Sequence, residues 1–189
     1  MRFGEISPKE VLNSINHIEE NDGINVYKSE IIWREFSHNL LWYFPNIHNT
    51  PIKNESENFE WDNNEANLIA WKKGLTGYPI VDAGMRELWA TGWMHNRVRM
   101  IVASFLTKHL LLPWQLGEEW FWDTLLDADP ASNTSGWQWV SGCGADAAPY
   151  FRIFNPIIQG EKFDPDGKYI KKLIPELNKL PKKFIHEPW

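Results

Sequence analysis

The residues with chemistry to offer crowd into one stretch, Asp127 to Pro156. There two acids, a run of small residues, two tryptophans one apart and an aromatic-basic tail follow one another. Ala131, Ser132, Ser135, Gly136, Gly142, Gly144 and Ala145 let backbone, or a flat ligand, approach closely. No helix or strand period runs long enough to explain the pattern, so the stretch reads as a functional loop. Asp127 and Asp129 follow an expected helix C-terminus, where the macrodipole disfavours anions, and so want a cation or hydrogen-bond donors; Arg99 is the candidate partner. Asp129 equally suits capping a helix begun by Pro130, and the two roles are compatible.

Two further constellations carry chemistry. Glu30, Trp33, Arg34 and Ser37 stand at i, i+3, i+4 and i+7 and share one helix face. A Trp between an acid and an Arg makes a platform for a flat ligand or a base; the plainer reading is an amphipathic helix with an interfacial Trp and a Glu–Arg pair. Asn96, Arg99, Met100 and Ala103 form a second face, with Arg97 beside it, that suits a polar heteroaromatic ring. The plainer reading is a solvated face next to a core stripe of Val98, Ile101, Val102 and Phe105. Gly142 to Ala147 matches a degenerate G-x-G-x-x-A, but it follows a Trp-rich turn rather than a strand and Pro149 comes soon after, so the dinucleotide fingerprint fails on context. Cys143 has no indicated base and reads as a small buried residue.

These faces need elements to carry them. With 189 residues the chain makes one domain, or one and a fragment of another, with material for a core. Aromatics reach 14%, including 12 Trp, more indole than core packing asks for. The net charge of -6 excludes a uniformly basic nucleic-acid binder but leaves room for a local patch of Arg97, Arg99, Lys108 and Arg152. One cysteine excludes an intramolecular disulfide and a zinc knuckle, and the six histidines show no metal-ligand spacing. No apolar run spans a bilayer and no signal peptide opens the chain. A soluble, reducing, cytoplasmic setting is expected.

Ser7-Pro8-Lys9-Glu10 is a capping box, predicting a helix to about Glu20, stopped by Asn21-Asp22-Gly23. Further helices are expected from about Tyr27 to Phe44, over Asn64 to Lys73, from Pro79 to Gly92, over His95 to Leu110, and over Glu118 to Leu126. Asn46 to Asp62 reads as a polar surface loop. Lys168 to Leu177 reads as helical around a disruptive Pro175. Nothing alternates with period two, and the fold class is all-α with long functional loops.

Taken together, Glu30 to Phe36, Thr76 to Ala83, Gly92 to Met100 and the whole of Asp127 to Pro156 resemble the photolyase/cryptochrome family, from about Phe3 to Trp189. Within it they look most like the class I cyclobutane pyrimidine dimer photolyases. The resemblance implies a helical FAD-binding domain of a light-driven DNA repair enzyme. Excited, reduced FAD would donate an electron to a flipped-out pyrimidine dimer, the cyclobutane ring would split, and the electron would return.

Carried over by motif, Tyr27, Arg34, Asn96, Arg99, Asp127, Asp129 and Asn133 would hold FAD. Asn133 would face the flavin's redox-active nitrogen, where a carboxylate would repel the anionic reduced form. Glu30, Trp33, Asn96, Met100 and Trp139 would line the dimer's pocket, Arg97 and Gln159 would touch the strand, and Trp61, Trp114 and Trp137 would relay electrons to the flavin. Glu30 and Asn133 would serve the reaction directly. No metal is implied. His95-Asn96 departs from the paired histidines of six-four photolyases, and Trp33 from the single-strand-preferring DASH type.

The resemblance also sets expectations about extent. The family's N-terminal α/β antenna domain, with its folate or deazaflavin pigment, and the small-residue segment that grips the FAD diphosphate have no counterpart in these residues. Residues 1–189 are therefore expected to be a partial FAD-binding domain, monomeric and acting on UV-damaged DNA. Two other outcomes stay open: a cryptochrome-like photoreceptor, and an inert helical remnant.

Overall fold

A computed structural model of the chain describes residues 1, 3–53, 59–147 and 152–189. Residues 54–58 of the expected surface loop, and 148–151 of the central stretch with its Pro149, lie outside that set. Among the described residues every regular element is helical: α1 Pro8–Ile15, α2 Asp22–Tyr43, α3 Glu65–Lys73, α4 Pro79–Thr91, α5 Asn96–Lys108, α6 Trp114–Thr124, α7 Pro130–Ser141, α8 Pro156–Phe163 and α9 Lys168–Leu173. Two 3₁₀ turns, Pro175–Leu177 and Lys182–Phe184, follow.

Local chemistry sets most boundaries. Ser7 and Glu10 exchange the two hydrogen bonds of a capping box at α1. Asn64 caps α3, and Gly74 ends it in the left-handed conformation. Asp82, buried in the first turn of α4, accepts from the backbone N–H groups of Thr76 and Gly77 and from the Thr76 hydroxyl, so the preceding turn is tied down before the helix begins.

Four expectations need correction. First, α1 ends at Ile15, well before Glu20, and Asn21 does not stop it. Asn21 Oδ1 accepts from Ile24 N at 3.0 Å, so the residues read as a stop are the N-cap of α2. Second, α6 starts at Trp114, immediately after Pro113, rather than at Glu118. Third, α8 was not expected, although Asn155 before Pro156 is an N-cap signal; Asn155 Oδ1 accepts from Ile157 N and Ile158 N.

The fourth correction matters most: the small-residue stretch is not a loop. Asp129 Oδ1 accepts from Ser132 N at 2.9 Å, Pro130 takes the first helical position, and α7 runs to Gly142. Ser, Thr, Asn and Gly are poor helix formers in isolation. Packing against α2, α5 and α6 compensates, as it does for most helices in folded proteins.

The core centres on α5, where Val98, Ile101, Val102 and Phe105 form the expected buried stripe. Trp71 of α3 is fully enclosed and donates its indole N–H to Val102 O at 3.0 Å, locking α3 to α5. The long helix α2 packs on α7 along one edge. Between them opens the cavity.

Candidate functional site

The cavity has a volume of about 840 Å³ and is walled by α2, the loop after it, α5, the segment after α6, and α7. Glu30, Trp33, Arg34 and Ser37 from α2 line it, as do Asn96, Arg99, Met100 and Ala103 from α5. Asp127, Asp129, Asn133, Trp137 and Trp139 complete the set. Both helix faces singled out in the sequence, and the small-residue stretch, therefore meet at one place. Its size falls in the usual range for cofactor and small-molecule sites.

The polar groups are held by specific partners. Arg99 donates from Nη2 to both Asp127 oxygens, at 2.9 and 3.1 Å, and from Nε to Met94 O at 2.7 Å. That is the cation Asp127 called for beyond the end of α6. Asp129 caps α7 with one oxygen, as foreseen, and its other oxygen faces His38 Nε2 at 3.5 Å, a residue the sequence did not single out. His38 Nδ1 bonds Arg34 O, one turn back on α2. Arg34 pairs with Glu35, not with Glu30 as the helical spacing offered.

Asn133 donates from Nδ2 to Glu118 O at 3.0 Å, and the neighbouring Thr134 hydroxyl donates to the Glu118 carboxylate. Burial pushes the Glu118 carboxyl above its ordinary range, with the Thr134 hydrogen bond and His48 opposing. A carboxyl raised on folding contributes stability that is present at low pH and lost as pH rises through its folded pKa. Glu118→Gln keeps an oxygen for Thr134 and removes that loss. In urea unfolding its stability relative to the parent is expected to fall as pH is lowered from 8 through the folded pKa of Glu118; a relative stability that rises on acidification would contradict this.

Aromatic placement divides the tryptophans. Trp33 is half exposed at the rim, edge-on to Phe36. Trp139 lies under the Arg152 guanidinium, 5.0 Å from ring to cation. Trp137 is 2% exposed and edge-on to Phe121 and to Trp71, with centroids 5.0 and 6.1 Å away. Trp114 is buried at the start of α6, and Trp61 is half-buried beside Phe59.

Several site residues lie away from the cavity wall. Tyr27 is exposed near the start of α2. Arg97 stacks over Phe163 of α8 at 4.7 Å. Gln159 sits half-buried on α8, with its Oε1 enclosed and unpartnered. Conversely, Trp93 and Arg152 line the cavity and Gln138 backs it; Trp93 and Gln138 fall inside the motif stretches but neither was singled out as a site residue. Cys143 is buried, its thiol pushed up by burial, which fits a packing role.

A polar heteroaromatic ligand fits these walls. Trp137 Nε1 and Ser135 Oγ are buried at the cavity and have no hydrogen-bond partner, and buried polar groups want one. Among the described residues no cluster of His, Cys, Asp and Glu could hold a metal ion, and no helix is long and apolar enough to cross a membrane.

Fold and site together define an all-α cofactor-binding domain with an aromatic, carboxylate- and arginine-bearing cavity. Residues 27–189 match the model for the FAD-binding domain of DNA photolyase. The chain is 57% identical over 190 residues to the deoxyribodipyrimidine photo-lyase of Agrobacterium fabrum, covering 98% of this chain and 40% of that protein. It is 44% identical to cryptochrome-2 of Arabidopsis thaliana, over 100% of this chain and 32% of that one. The crystal structure of a class III photolyase from Agrobacterium tumefaciens superposes with a TM-score of 0.92 at 55% identity, covering 98% of this chain and 39% of that one. The chain belongs to the photolyase/cryptochrome family. It spans about 40% of the length of the curated photo-lyases it matches.

Proposed function

We propose that residues 1–189 form a partial FAD-binding domain, the catalytic part of an enzyme that repairs cyclobutane pyrimidine dimers in UV-damaged DNA with light. The observation that carries this reading is convergence. Glu30, Trp33, Asn96, Met100 and Trp139, the dimer-pocket pattern, share one cavity with Arg34, Arg99, Asp127, Asp129 and Asn133, the flavin pattern. Bound FAD supplies the light-driven electron donor.

The chain's own residues do the rest. Arg99 fixes the Asp127 carboxylate for the polar side of the cofactor. Asn133 has its amide nitrogen committed to Glu118 O, leaving its oxygen to accept from a ligand N–H, and a neutral amide does not repel an anionic ligand. Trp33 and Trp139 offer faces on which unstacked pyrimidines pack, while Glu30 and Asn96 offer polar contacts at the same wall. Arg97, Gln159 and Arg152 stand ready for the strand, and Trp61, Trp114 and Trp137 for electron supply.

The test is an FAD titration of the purified chain, with visible spectra before and after blue light in the presence of a thiol. A structured flavin band that bleaches under light, followed by repair of a dimer-containing oligonucleotide, is the expected result. A free-flavin spectrum would sink the reading for this chain. A second reading, a cryptochrome-like photoreceptor, draws on the identity to a plant cryptochrome. FAD binding and photobleaching with no preference for dimer-containing over undamaged DNA would favour it.

A further inference from the structure

We propose that Gln138 is a positioning residue that holds the loop 47–52 in place as a wall of the cavity, and that flavin affinity depends on this clamp; the second half rests on the FAD reading above. Gln138 lies on α7 between the two cavity tryptophans, yet it is fully buried. Its Nε2 donates to Ile47 O at 2.6 Å and to Thr50 O at 2.9 Å, and its Oε1 accepts from Ile52 N at 3.1 Å. A buried amide is costly unless its donors and acceptor are all used. Here the amide nitrogen and oxygen are spent on one loop, and that loop carries Ile47 and Ile52 into the cavity wall.

The backbone completes the clamp. Gln138 O accepts from the N–H groups of Gly142, Cys143 and Gly144, and Lys53 N in turn donates to Cys143 O at 2.9 Å. A side chain at Gly144 would stand 3.1 Å from the Gln138 backbone, which leaves little room for one. One turn of α7 thus supplies Trp137 and Trp139 to the cavity and, through Gln138, fixes the wall beside them. A residue with only a packing role would need shape alone; this one needs two donors and an acceptor.

The test compares Gln138→Leu, which keeps bulk without polarity, with the isosteric Gln138→Glu. The glutamate can still accept from Ile52 N but turns an oxygen toward the Ile47 and Thr50 carbonyls. Amide exchange is read on the full chain without ligand, and FAD affinity by titration. Both variants are expected to exchange at least about tenfold faster at Ile47, Thr50, Ile52 and Lys53, with α4 and α5 unchanged. FAD affinity should fall by about tenfold or more in both. Loop protection and affinity equal to the parent in Gln138→Glu would overturn the proposal, because shape alone would then suffice. Protection lost throughout α4 and α5 would also overturn it, making Gln138 an ordinary core residue, and a freed loop with unchanged affinity would break the link to the cavity. If the parent chain binds no FAD, the flavin reading fails, and loop exchange still decides the clamp.

Discussion

Gly117→Ala is expected to destabilise the chain by about 3 kcal/mol and lower its melting temperature by roughly 10 °C, although it replaces no residue of the cavity wall. The sign runs against helix propensity, since alanine is favoured over glycine by about 1 kcal/mol in a helix interior. Sterics decide otherwise. A Cβ built on Gly117 lies 2.1 Å from Trp137 Cη2, 2.5 Å from Trp137 Cζ3 and 2.6 Å from Leu106 Cδ2. Leu106 is fully enclosed, and Trp137, held between α6, α7 and α5, has only the cavity side into which to yield. The indole would have to move toward the cavity, carrying its contacts with Trp71 and Phe121. Thermal melting followed by far-ultraviolet circular dichroism and by Trp fluorescence checks both parts. Unchanged or raised melting would show that α6 and α7 separate more easily than this packing implies.

Arg99→Leu is expected to weaken FAD binding by about a hundredfold while changing folding stability by less than about 1 kcal/mol. The stability effect is small because the Asp127 carboxylate is half exposed and water screens the pair. Binding is different. Arg99 spans Met94 O and both Asp127 oxygens, and so sets where that carboxylate stands at the cavity wall. Without the guanidinium, Asp127 would be an unneutralised anion just beyond a helix C-terminus, at the wall where the proposed anionic cofactor would bind. Arg99→Lys should recover only part of the loss, because an ammonium restores charge but not the fork. FAD titration beside urea unfolding separates the two effects. Parent-like affinity in Arg99→Leu would remove the Arg99–Asp127 pair from the binding site.

Several helix ends were legible in the residues because caps are local chemistry. Ser7 with Glu10, Asn64 with Gly74, and Pro79 before Gly92 each satisfy backbone groups within a few positions. Asn21 shows where this runs out. Asn-Asp-Gly can end one helix or begin the next, and the side-chain bond to Ile24 N decided for the beginning. The helical faces of α2 and α5 were also legible, since a period of 3.6 places Glu30 with Trp33 and Asn96 with Arg99 whatever the rest of the chain does.

The small-residue stretch was legible as a helix only at its start, Asp129 before Pro130, and not along its length. Ala131 to Gly136 has little tendency to form one alone, and its stability comes from three neighbours that no local window contains. The tryptophans likewise carry no label. Trp71 is enclosed in the core, Trp137 and Trp139 wall the cavity, and Trp42 is 81% exposed, although all are the same residue on helices.

By itself, then, the sequence determined the helical class, the bounds of α3 and α4 and nearly those of α5, the pairing wish of Asp127, and the family motifs. Those depend on hydrogen bonds and periodicity that act within a few residues. Only the tertiary structure decided that α2, α5 and α7 converge on one cavity, that His38 faces Asp129, and that Gln138 bonds a loop some ninety positions earlier in the chain. Contacts at such separations form only when several helices pack at once. Their partners are therefore chosen by the shape of the whole core, which no single stretch encodes.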